Sequence, residues 1–124
     1  MLELSKEKVL RKIIEYDTSF NVNSFNLNGL SVWLDKDTRV GLMNSINIEK
    51  NSGKLESTLW FNGIKLVINC DEAIKMLSAL ELYALKCFNK TAEHKKTINS
   101  LTTLDEIENY NYKEGYPEKL NFSI

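Results

Sequence analysis

Few residues in this 124-residue chain have the type and spacing that chemistry requires. There is one histidine, His94, set among Lys95 and Lys96 on a charged stretch. To serve as a general base it would need a nucleophile or an orienting acid within hydrogen-bond reach, and no nearby residue pattern supplies one. The expectation is an exposed or half-packed helix histidine. Two cysteines, Cys70 and Cys87, stand apart among apolar neighbours, where a free thiol behaves as a small hydrophobe. They form no CxxC pair, and no HxxxH or HExxH spacing exists, so a zinc site is not indicated. The stretch "LDKDTR" places Asp35 and Asp37 as in the start of a calcium loop, but the glycine, third acid and closing glutamate are missing. Helix capping explains these two aspartates better. Glycine-rich phosphate loops, nucleotide fingerprints and nucleophile elbows are absent. Catalytic, cofactor-binding and metal residues are therefore all read as none, and the chain as a non-enzyme.

What stands out instead is aromatic surface. Trp33 and Trp60 end or interrupt β-prone runs, and the last fifteen residues, "YNYKEGYPEKLNFSI", gather Tyr110, Tyr112, Tyr116, Pro117, Leu120 and Phe122. Aromatic side chains are large anchors of limited flexibility and are enriched at protein interfaces. These eight residues are the interaction candidates. The alternative for each is a place in the domain's own core, and the sequence leaves that choice open.

The elements that must position them read as follows. Ser5 caps a first helix through "KEKVLRKIIEY", with Val9, Leu10, Ile13 and Ile14 as its apolar stripe and Lys6, Lys8, Arg11 and Lys12 on its solvated face. Strands near 24–27 and 30–34 flank Asn28-Gly29, and Thr58 to Phe61 and Ile64 to Asn69 flank Asn62-Gly63. Asn-Gly is the strongest short hairpin signal. Between the hairpins, Asp35 or Asp37 caps a helix over 37–51, with Val40, Met43, Ile46 and Ile48 inward and Gly41 allowing close packing. Asp71 caps a second main helix over 71–90. It carries two adjoining apolar rows: Ile74, Leu77, Leu80 or Glu81, Ala84 and Cys87 or Phe88, and Ala73, Met76, Leu80, Tyr83 and Cys87. Whether it runs on through 101 or breaks at Thr91 is undetermined. Thr103 and Glu106 form a capping box for a short helix.

The fold class is α+β: a small antiparallel sheet of two short hairpins packed against two main helices, with short terminal helices and an extended C-terminal tail. The expected organisation is an N-terminal helix over 1–19 as an attachment element, a core over 20–109, and the tail over 110–124. The apolar fraction of 43% and charged fraction of 27% suit a globular chain. With 16 basic and 17 acidic residues the net charge is -1, and no basic stripe interleaved with aromatics marks a nucleic-acid partner. Runs of roughly 18–20 apolar residues, which a membrane span needs, do not occur, and the charged start is unlike a signal peptide. A reducing cytoplasm is the expected setting.

Three stretches taken in order resemble an uncharacterised domain family of tailed bacteriophages and prophages, in particular gut phages of the Bacteroides group. They are "FNLNGLSVWLDKDTRVGLMNSI", "TLWFNG" with "MLSALELYALKCFNKTAEHKKTI", and "YNYKEGYPEKLNF", covering about residues 20 to 122. Members of that family are often encoded among tail and tail-fibre genes. The resemblance implies a tail-associated structural or adaptor protein whose partners are other phage tail or tail-fibre proteins, with a homo-oligomer also compatible. The alternative is a non-virion chaperone of tail-fibre assembly, or a small phage enzyme or host-defence inhibitor. It implies residence in the host cytoplasm during assembly and in the virion tail if structural. No catalytic residue comes with it.

Overall fold

The computed structural model describes residues 1–124 and is α+β. In chain order it contains α1 (Leu2–Asp17), β1 (Phe25–Leu27), β2 (Leu30–Val32), α2 (Lys36–Asn51), β3 (Glu56–Phe61), β4 (Ile64–Asn69), α3 (Cys70–Ser100), α4 (Leu104–Glu108) and β5 (Asn121–Phe122).

Both hairpins form where the Asn-Gly pairs stand. Asn28 and Asn62 each adopt φ 51°, and Gly29 and Gly63 follow at 83° and 78°. Two successive positive φ values make a type I′ turn, whose twist matches the flanking strands. The hairpins do not join into one sheet. β3 and β4 pair only with each other, whereas β1 pairs antiparallel with β2 on one side and parallel with β5 on the other. A parallel partner drawn from residues about ninety positions away leaves no local signal, so the tail's strand was not foreseeable from pattern.

The caps correct two expectations and decide a third. α1 begins at Leu2, ahead of Ser5, which lies inside the helix. Asp35 caps α2, its carboxylate accepting from the Thr38 amide at 2.7 Å, and this bond holds its carboxyl below the usual range. At α3 the cap is Asn69 rather than Asp71: its side-chain oxygen accepts from the amides of Asp71 and Glu72, because β4 runs straight into the helix. Asp71 is left to pair with Lys50 at 2.6 Å. The Thr103–Glu106 box forms, with the Glu106 amide donating to the Thr103 hydroxyl and that hydroxyl donating to the Glu106 carboxylate.

α3 is one helix of 31 residues. No glycine or proline interrupts residues 70–100, and the Thr91 hydroxyl is used elsewhere rather than as a cap. The second of the two expected rows is buried throughout, Ala73, Met76, Leu80, Tyr83 and Cys87, and is continued by Thr91, His94 and Ile98; of the first row Leu77 is also fully buried, with Ile74 and Ala84 half-buried. Phe88, Leu82 and Leu85 stay exposed. In α2 only Ile46 of the expected apolar set is fully buried; Val40 and Ile48 face out, and nothing approaches Gly41.

The chain divides into two compact units, Met1–Asn23 with Ala84–Glu118, and Ser24–Tyr83 with Lys119–Ile124. This differs from the expected division at 19 and 109, because α3 and the tail each contribute to both units. The second unit has an apolar core of Phe25, Val32, Ile46, Leu59, Phe61, Ile68, Leu77 and their neighbours. The first has a smaller apolar cluster of Val9, Ile13, Ile98 and Ile107.

Candidate functional site

The tail candidates are packed against their own chain. In the first unit Tyr110 and Tyr112 lie against the Val9–Ile107 cluster, and Tyr16 meets Tyr112 edge-on at 6.2 Å and Tyr116 at 5.5 Å between ring centres. In the second unit Leu120 and Phe122 pack on the main core, with Phe122 edge-on to Phe25 at 5.8 Å. Pro117 is half-buried. Of the two places the sequence left open for the tail side chains, the closed chain puts them in its own clusters.

His94, expected exposed or half-packed, is buried, at 5% accessibility. Its Nε2 lies 2.8 Å from the Glu114 carbonyl oxygen, which can only accept, so Nε2 carries the proton. Nδ1 then accepts from the Tyr110 hydroxyl. One turn earlier, the Thr91 hydroxyl donates to the Asp17 carboxylate at 2.8 Å and so accepts from the Tyr116 hydroxyl at 2.6 Å. Burial pushes the Tyr116 phenol above its ordinary range, opposed by the Thr91 bond. Gly115, at φ 89°, passes so close to Lys90 that a Cβ would stand 2.8 Å from its Cε.

This is a constellation of acid, hydroxyl and imidazole, but its chemistry is spent internally. Both His94 nitrogens and the hydroxyls of Thr91, Tyr110 and Tyr116 are engaged in fastening residues 110–116 to α1 and α3. An open groove of about 710 Å³ beside it is lined by Lys90, Glu93, Glu106 and Glu114, a mixed-charge surface without a convergent nucleophile. No group of three His, Cys, Asp or Glu side chains lies close enough to hold a metal ion. No helix is long and apolar enough to cross a membrane.

The tryptophans separate. Trp33 is half-buried, with the Arg39 guanidinium 5.0 Å from its ring centre. Arg39 itself is 4% accessible; its Nε donates to Glu81 at 2.6 Å and Nη1 to the Leu34 carbonyl at 2.6 Å. A charge buried this way is tolerated because it is paired and hydrogen-bonded. Nothing in the charge-rich run "DKDTR" distinguishes this arginine from its solvated neighbours, so sequence reading passed over it.

Trp60 is 64% exposed. Along β3 the burial alternates, with Ser57, Leu59 and Phe61 inward and Glu56, Thr58 and Trp60 outward. Trp60 stands opposite Lys65, and Thr58 opposite Val67, so Trp60 and Val67 are diagonal neighbours on the outer face. Val67 is also exposed, as is Leu55 just before the strand. With no third strand, β3 and β4 each keep one unpaired edge. The chain matches no protein family, no curated protein and no solved structure.

Proposed function

We propose that the chain acts by protein–protein contact, as a tail-associated structural or adaptor protein of a tailed phage, and that the outer face of β3 and β4 is its contact surface. The observation that carries this reading is Trp60, an exposed aromatic on a two-stranded sheet with both edges unpaired. A bare hairpin is the least self-sufficient form of sheet, and an exposed edge beside apolar side chains is a template for strand addition. The occupant is an extended segment of a tail or tail-fibre protein, held by main-chain hydrogen bonds and anchored by Trp60 and Val67. The phage assignment is supported by the resemblance of the three ordered stretches described above.

Quantitative mass spectrometry of purified virions tests the assignment. A fixed ratio to the tail proteins is expected. Abundance in infected cells with absence from particles would overturn it and favour the assembly chaperone. Trp60→Ser tests the surface: its melting temperature should match that of the parent chain while its incorporation into particles falls. Normal incorporation would move the contact elsewhere.

A further inference from the structure

We propose that β5 is exchanged between copies of this chain, so that residues 119–124 of one molecule add to β1 of another. The exchange does not depend on the Trp60 face.

The acceptor is β1. Its Asn26 amide donates to the Leu120 carbonyl at 2.9 Å, and the Asn28 amide to the Phe122 carbonyl at 2.8 Å. The Asn26 side chain donates to Asn121 at 2.9 Å, and the Ile124 amide to the Asn28 side chain at 2.8 Å. Phe122 covers Phe25, which is otherwise the largest fully buried side chain of the core. If β5 leaves, two strand donors and an aromatic ring are uncovered together. A replacement must be extended, offer carbonyls two residues apart, and follow an apolar, polar, aromatic order. Leu120-Asn121-Phe122 of a second copy meets every one of these requirements.

The donor segment is separable. Residues 110–116 are fastened within the first unit by His94 and Thr91, whereas β5 is a two-residue ladder with Asn121 exposed, Phe122 half-buried and no ion pair. Only Pro117, Glu118 and Lys119 connect Tyr116 to Leu120. A hinge this short carries the strand to a neighbour only in an extended form, and proline biases its own backbone and that of the preceding residue toward extended forms. Exchange reproduces each contact of the closed chain, so concentration decides which form dominates. A tethered strand competes at an effective concentration of the order of millimolar, which dilute protein does not reach and an ordered array does. Reciprocal exchange closes a dimer; head-to-tail exchange builds a ring or filament.

Two variants with one added cysteine each test this, Asn26→Cys and Asn121→Cys, whose positions are paired across β1 and β5. The native Cys70 and Cys87 are buried and do not compete. The variants are mixed at about 1 mM, where tether and partner balance, and at about 10 μM, well below it, and oxidised mildly. A mixed 26–121 disulfide dimer, located by peptide mapping and favoured at the higher concentration, is expected. Adding Phe122→Ala to the Asn121→Cys chain should reduce it by about tenfold, the loss of one apolar anchor. The double variant in a single chain controls for geometry. Complete internal cross-linking there, with no mixed dimer above that of each variant alone, would overturn the proposal. So would a mixed dimer indifferent to Phe122→Ala, which would mark random collision.

Discussion

The same C-terminal segment is held by two chemistries in the two units. In the first, residues 110–116 are fixed by hydrogen bonds: the Tyr110 and Tyr116 hydroxyls donate to His94 and Thr91, His94 donates to the Glu114 carbonyl, and Thr91 donates on to Asp17. In the second, residues 120–122 are fixed by a backbone ladder and by Leu120 and Phe122 on an apolar core. The difference follows from what each unit has to offer. A unit with only four fully buried apolar residues in its cluster relies on directional bonds, each costly to break because its partner is left buried. A unit with a large apolar core can hold a strand by area, which is less exacting and easier to exchange.

Removing the segment altogether tests the shared premise and should have the largest effect. Deletion of residues 116–124 should lower the melting temperature by about 15 °C or more, since Tyr116, Leu120 and Phe122 leave together. An unchanged transition would mean the tail contributes to neither unit. Next is the apolar core itself. Leu77 is fully buried, and Leu77→Ala should cost about 2–5 kcal/mol by urea denaturation. In the first unit Thr91→Val leaves Asp17 and Tyr116 without their shared partner and should cost about 1–3 kcal/mol. Hydrogen exchange should then speed up at 110–116 while Asn26 and Asn28 keep their protection. Equal loss at both would erase the distinction.

Alkali should separate the two halves again, more gently. The Tyr116 phenol titrates above its ordinary 10.0 because it is buried. Its contribution is thus complete below pH 10 and falls as pH rises through the folded-state value, since the unfolded chain releases the proton first. Denaturation midpoints between pH 9 and 11 should decline less steeply in Tyr116→Phe. The smallest effect belongs to the surface. Lys50 is raised by its hydrogen bond to Asp71, yet both are exposed, and Lys50→Ala should leave the melting temperature unaltered.

What the sequence determined by itself is what depends on neighbours within about four residues. The Asn-Gly turns, the Asp35 cap, the Thr103–Glu106 box, the positions of the helices and hairpins and the α+β class all follow from such short-range geometry. Even there Asn69 displaced Asp71 as the cap, because a strand ending at 69 had to pass directly into α3. The tertiary structure alone decided burial and partnership over long separations. It took His94 out of solvent by closing Tyr110 and Glu114 over it, hid Arg39 between Trp33 and Glu81, and left Trp60 outside. It also laid the end of the tail on β1 as a third strand. None of these carries a local signature, because an aromatic or apolar side chain gains the same free energy from any dry surface that fits it. Which surface that is depends on chain segments as far apart as Asn26 and Asn121, and only the folded molecule brings them together.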